Sequence, residues 1–241
     1  MIAEWDTLNM DNIRAYTLDV NQAKALLAAD GWTLNRDGQP YREGVDDVRC
    51  KELDGQLVPL ELILAYPEGN NIVDAMETCL LPGTAEAGIQ LTLEPIGMPA
   101  LLDQLYRREE RTVDLIYMAT NFEVLYDAAV HFSLDEKGEP FWSFTSLQDE
   151  KLYKIADEMR HTKPGDYLTY IKHWLAFQER FAELLPAIPI YSNVYFDFYT
   201  STLQNYSISA NVSWGQAIVP AWLGEPAEAP EADEPAEAIG E

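Results

Sequence analysis

The side chains able to do covalent or metal chemistry are few and poorly arranged for it. The histidines are His131, His161 and His173, and none lies in a metal or nucleophile motif. His161 sits where a helix is expected to end, a place that suits a cation. His173 lies between Lys172 and Trp174 in mid-helix and reads as a surface or boundary residue. The chain has no G-x-S-x-G, H-E-x-x-H, P-loop, G-x-G-x-x-G or EF-hand pattern. The run Asp135-Glu136-Lys137-Gly138-Glu139 lacks the alternating ligand spacing of a calcium loop and reads as solvated. Paired acids such as Glu109 and Glu110 carry no specificity in a chain with 41 acidic residues. Cys50 and Cys79 fit neither a metal pattern nor a C-x-x-C redox pair. They read as two buried free thiols, with a disulfide allowed in an exported protein. The expectation is a protein that is not an enzyme and that needs no cofactor or metal.

The elements that would position a binding site are clearer. Asp19 can cap a helix over 19–30, and Gly31 can end it in the left-handed conformation, with Trp32 folding back onto the apolar face. Asn35-Arg36-Asp37-Gly38 marks a turn. Leu57, Leu60, Leu62 and Leu64 recur near period two and predict a strand, broken after Tyr66 by Pro67-Glu68-Gly69. Asn70 or Asn71 could cap a helix over 72–81, which Pro82-Gly83 interrupts. Residues 89–94 alternate apolar and polar, a strand with one buried face. A helix over 98–108 and a short buried strand over 113–118 follow. Strands alternating with helices imply crossover connections and a mostly parallel sheet with helices on its faces.

Further on, helices are expected over 149–160 and from Pro164 or Asp166 to 185. Pro164 suits a first turn, and Tyr167, Ile171, Trp174, Phe177 or Gln178, and Phe181 form an apolar stripe. Tyr191, Tyr195 and Tyr199 share one face of an extended segment and read as sheet packing. Residues 208–222 are expected to be extended, with turns at Asn205 and Gly215. The tail 224–241, rich in Pro, Ala and Glu, reads as disordered.

Composition narrows the partners. The chain has 241 residues, 47% of them hydrophobic, with six Trp, thirteen Tyr and eight Phe, enough for a sizeable core. The net charge is −25, from 16 basic and 41 acidic residues. Seven acids lie in the tail, which leaves 18 of those charges on the rest. Nucleic-acid backbones need a basic footprint, and none exists. No run approaches the roughly 20 apolar residues of a membrane span, and the first ten residues lack the pattern of a signal peptide.

Three motifs in order resemble family 5 extracellular solute-binding proteins, the oligopeptide and dipeptide receptors of ABC importers. They are Tyr16 and Asp19 before Ala25-Leu26-Leu27 and Gly31-Trp32; Ala87-Gly88-Ile89-Gln90-Leu91-Thr92-Leu93 with Val113-Asp114-Leu115-Ile116-Tyr117; and Pro186-Ala187-Ile188-Pro189-Ile190-Tyr191 after a long helix. The resemblance implies a type II periplasmic-binding-protein-like C-terminal lobe, α/β with a mixed, mostly parallel sheet. It implies a linker over 1–18, the lobe over 19–223 and the tail beyond it. Its start near residue 16 implies that upstream sequence, with the export signal and the N-terminal lobe, is missing. The implied partners are that lobe, ABC permease subunits and a peptide, sugar or metal-chelate solute, at a periplasmic or cell-surface location. An uncovered inter-lobe face would let copies associate. The rival reading is a stand-alone cell-surface scaffold.

The same resemblance points to the loop after the 113–118 strand as the ligand site: Thr120, Asn121, Phe122 and Tyr126, with Trp142 added. Relatives often carry an acid and a tyrosine in this loop, and the acid meets a peptide's amino terminus. Here Asn121 and Phe122 stand in those places, so a charge-assisted bond is not available from that position. Core packing under a long loop is an equal reading for Phe122, Tyr126 and Trp142.

Overall fold

The computed structural model describes residues 10, 11, 13–119, 127–134, 145, 147–191, 196–209 and 212–225. The chain divides into two compact units, Met1–Asn121 with Asp127–Pro186, and Phe122–Tyr126 with Ala187–Glu241.

In the first unit, α1 is Val20–Ala29. The Asp19 carboxylate accepts from the Gln22 amide at 2.8 Å, satisfying one of the donors a helix leaves open. At the other end the Trp32 amide donates to Leu27 and the Gly31 amide to Ala28, a Schellman motif, with Gly31 at φ +95°. Contrary to expectation the helix buries no side chain. Leu26 is exposed, and the Trp32 indole donates to Asp30.

The single strand expected near 57–64 is in fact two. β1 (Cys50–Leu53) and β2 (Gln56–Pro59) form an antiparallel hairpin, and β3 is Glu61–Pro67. Asp54 and Gly55 both have positive φ, the type I′ geometry that matches strand twist. The helix after β3 does not stop at Pro82. It runs as α2 (Ile72–Ala75), a π-helical turn (Met76–Leu80) and α3 (Leu81–Ala87). Pro82 falls in the first turn of α3, where the π turn has already reset the ladder and no donor is lost. Cys79 lies exposed on that turn and Cys50 is buried, so only one thiol is buried as expected; both are free. Burial pushes the Cys50 thiol up, away from reactivity.

Gly88 ends α3 at φ +86°. A Cβ there would lie 2.7 Å from Arg49 Cγ and 2.8 Å from the Tyr41 hydroxyl. Arg49 is 5% exposed yet satisfied. Its Nε donates to Ala87 at 2.8 Å, one terminal amine to Trp32 at 3.1 Å, and its plane covers the Tyr41 ring.

β4 (Gln90–Ile96) and β5 (Leu115–Ile116) flank β3, both parallel to it, in the order β4-β3-β5. The expected 113–118 strand is thus only two residues long, although Asp114 extends the contact by exchanging bonds with Ile63. α4 (Met98–Leu105) packs Leu101, fully buried, against Ala65 and Val113. Leu64, Tyr66 and Met76 make a second cluster.

The remaining helices of this unit are α5 (Ala128–His131), α6 (Glu150–Arg160) and α7 (Tyr167–Leu184). Asp127, Asp149 and Asp166 cap them with their carboxylates. Pro164 stands before α7, in a turn with Gly165 at φ +88°, and not in its first turn. The core joins Ala128, Leu152, Ile155, Met159 and Phe177. Phe132 meets Phe177 and Phe181 edge-on, with ring centroids 5.5 and 5.9 Å apart. Tyr167, expected in the apolar stripe, is exposed.

In the second unit, β6 (Leu203–Gln204) pairs antiparallel with β7 (Trp222–Leu223). Between them, where extended chain was expected, stands α8 (Trp214–Ile218), opened by a capping box from Ser213 and Gln216. The turn at Asn205 is present at φ +56°. Tyr191 and Tyr199 lie in no strand and are exposed, so they are not packed in a sheet as expected; Tyr195 and the tail beyond Glu225 lie outside the described residues. Tyr199 instead meets Tyr206 edge-on.

Candidate functional site

In open α/β sheets, loops at the carboxyl ends of the strands hold ligands, because the scaffold is rigid and the loops are free to vary. In this protein that edge is formed by the ends of β3, β4 and β5. After β3, the Glu68 amide donates to Ile96, tying the first loop to the end of β4. Gly69 turns the chain at φ +78°, and the Asn70 side chain accepts from the Ile72 amide to start α2. After β4, Gly97 leads directly into α4, with Pro99 in its first turn. After β5, the Tyr117 amide donates to Ala65, and the Tyr117 ring packs on the Leu64–Tyr66–Met76 cluster. Met118 packs against the Leu101 cluster.

The loop named from the sequence leaves this edge at Ala119. Thr120, Asn121, Phe122, Tyr126 and Trp142 all lie outside the described residues, as does the run 135–140. The chain returns at Asp127, a residue that sequence reasoning missed. Its carboxylate accepts from the Ala129 amide at 3.0 Å and pairs with Arg160 at 2.8 Å. Asp before Ala128-Ala129 is an N-cap signature that could have revealed it. The described chain thus stops at Ala119, just after Tyr117 and Met118, and resumes at Asp127.

Thr162 and His173 approach to 3.4 Å, but the Thr162 hydroxyl also bonds the Glu158 carbonyl at 2.8 Å, and the pair closes the turn between α6 and α7. Among the described residues no three His, Cys, Asp or Glu side chains converge to hold a metal ion. Asp149 is held below the ordinary carboxyl range mainly by its bond to Arg180, a tie between α6 and α7 remote from chemistry.

No protein-family profile matches the chain, and no curated protein matches it. Solved structures do. The oligopeptide-binding protein of Thermus thermophilus, complexed with a pentapeptide, superimposes with a TM-score of 0.64 at 20% identity, over 85% of this chain and 34% of its own. The oligopeptide-binding protein of Bacillus subtilis, in complex with a nonapeptide, gives 0.58 at 16% identity, over 85% and 37%. The fold is that of part of a solute-binding protein. A Thermotoga maritima oligopeptide-binding protein bound to mannohexaose gives 0.51 at 16% identity, over 78% and 32%. The chain thus spans about a third of the length of the solute-binding proteins it matches. The fold class expected from the three sequence motifs is the one found, with its parallel sheet and flanking helices. Among the described residues no helix is long and apolar enough to cross a membrane.

Proposed function

We propose that this chain is the C-terminal lobe, over 19–223, of a family 5 solute-binding receptor that delivers peptides to an ABC importer outside the cytoplasm. The observation that carries the reading is the extent of the likeness: 85% of this chain matches about a third of two proteins solved with peptides bound. A lobe of a hinged receptor has that proportion. Sequence motifs at Gly31-Trp32, Gly88–Leu93 and Pro186–Tyr191 support the same family.

The mechanism is hinge closure. A solute that touches both lobes favours the closed state by the contacts it makes only there. On this reading the lobe contributes Thr120, Asn121, Phe122 and Tyr126, which fall in sequence between β5 and Asp127, together with Trp142 further along the chain. It does no covalent chemistry. A sugar is the second solute to try, since one protein of this fold was solved with mannohexaose.

The test is thermal shift of the full-length protein carrying this chain, against di- to oligopeptides, oligosaccharides and nickel chelates. Binding adds RT ln(1 + [L]/Kd) to stability, about 2.7 kcal/mol at a hundredfold excess over Kd. Peptides are expected to raise Tm. A folded two-lobed protein that no solute shifts would turn the reading toward a cell-surface scaffold.

A further inference from the structure

Residues 187–224 differ in kind from the rest of the chain. One of them is charged, Asp197, in a sequence that is 24% charged. The net charge is −25 and Asp197 supplies one unit of it, so 24 lie elsewhere. The Asp197 carboxylate is itself engaged, accepting from the Tyr206 hydroxyl at 3.4 Å.

Among the described residues this stretch buries one side chain, Ala217 on α8. Its large apolar side chains stand outward instead: Phe196, Phe198, Trp214, Val219, Trp222 and Leu223. Phe198 is 94% exposed, Val219 82% and Leu223 76%. Trp222 and Leu223 are consecutive in β7, so they point to opposite faces of the β6–β7 ribbon. Both are exposed, so neither face of the ribbon is covered. Among the described residues no third strand joins it. A two-stranded ribbon is marginal in water unless more strands or a packed face support it.

Exposed apolar surface of this extent marks contact with another protein. Interface cores are likewise poor in charge and rich in Tyr, Trp and Phe. The lack of charge also restricts the occupant. A charged surface seated here would lose its water and find no opposite charge in return. The occupant must itself be apolar and nearly free of charge, and this same stretch is such a surface. Two copies joined through the rest of the chain would set acid against acid. Joined through 187–224 they set apolar against apolar. A twofold axis also brings like edge strands together antiparallel, the pairing that β6 and β7 already use.

We infer that the surface of β6, β7 and α8 is a self-association surface, and that its occupant is the same surface of a second copy of this chain, in a twofold dimer. This goes beyond the receptor reading and does not depend on the solute.

The test is sedimentation equilibrium of the 241-residue chain, at concentrations up to about 100 μM, beyond the micromolar limit of interfaces of ordinary size. A dimer is expected. Its salt dependence carries a signature, because the contact holds almost no charge while the two acidic bodies repel. Raising salt from about 10 mM to about 150 mM shortens the reach of that repulsion from about 30 Å to about 8 Å, so the dimer should tighten severalfold. An interface held by ion pairs would weaken instead. The triple variant Phe198→Glu, Val219→Glu, Leu223→Glu changes exposed side chains only, and far-UV circular dichroism checks that it folds. Each Glu enters a twofold contact twice, so the dissociation constant should rise at least about a hundredfold. The control Leu18→Glu, Leu26→Glu, Val45→Glu adds the same charge at exposed apolar positions of the first unit and should leave most of the dimer intact. A chain that stays monomeric overturns the inference, and strong binding of a hydrophobic dye by that monomer would assign the surface to a different protein or to the other lobe of a longer receptor. Equal effects of the two triple variants, or a dimer that weakens with salt, overturn it as well. None of these outcomes bears on solute binding, so the receptor reading stands or falls by its own test.

Discussion

Gly88→Ala separates two costs that usually come mixed. An alanine held in the left-handed region costs about 1–2 kcal/mol, offset by about 0.4–1 kcal/mol because the unfolded chain loses freedom. At Gly165, with φ +88° and no atom within 4 Å of an added Cβ, that is the whole effect, roughly 0.5–1.5 kcal/mol. At Gly88 the new methyl must also displace Arg49 and Tyr41, at 2.7 and 2.8 Å. Neither can simply swing away, because Arg49 is pinned by bonds to Ala87 and Trp32 and by its stack on Tyr41. Overpacking of this kind adds about 1–3 kcal/mol. Urea unfolding followed by circular dichroism should therefore place Gly88→Ala about 2–4 kcal/mol below wild type. Gly165→Ala should lose clearly less. In a Tyr41→Ala background, where half the clash is gone, the Gly88→Ala cost should fall. Equal losses at Gly88 and Gly165, or no coupling to Tyr41, would refute the close approach and leave backbone conformation as the only cost.

Two further outcomes follow from the same unit. Phe177, 2% exposed and touching Phe132 and Phe181, should cost roughly 3–5 kcal/mol as Phe177→Ala. A loss below about 1 kcal/mol in urea unfolding would mean that this core is not packed as described. Asp46 is held down to about 2, chiefly by its bond to Arg42. A carboxyl lowered in the folded state lends stability that is fully present above its ordinary value near 4 and is lost as pH falls toward 2. Asp46→Asn should flatten that part of the pH dependence of the urea midpoint, and an unchanged slope would exclude Asp46 as its source.

Local chemistry that repeats at helix ends was readable from the sequence. Asp19, Gly31 and Asp149 each announce a boundary by one side chain or one missing side chain, and each stands where expected. The alternation of 89–94 reveals β4 because that strand buries one face only. β1 escaped because Cys50–Leu53 is short and does not alternate, although Asp54-Gly55 was a hairpin signal in plain view. The π turn had no signal, since Met76–Leu80 is an ordinary helical composition. The S-x-x-Q pattern of Ser213 and Gln216 is a capping-box signal that the expectation of extended chain over 208–222 did not use. Tyr167 shows the limit of periodicity, because a stripe wider than the partner surface leaves its first member in solvent. The candidate site rests on resemblance alone, and its five named residues lie outside the described residues.

The rim of β4 has a consequence for how this chain behaves in company. Among the described residues β4 is an outer strand. The Gln90 amide donates to Leu60 and the Ile96 carbonyl accepts from Glu68, so the even-numbered residues face β3 and the odd-numbered ones turn their main chain outward. Of Leu91, Leu93 and Pro95, the last has no N–H to offer. A stray strand from another molecule would therefore meet an incomplete ladder, next to the carboxylate of Glu94. That is how natural sheets discourage runaway edge-to-edge assembly.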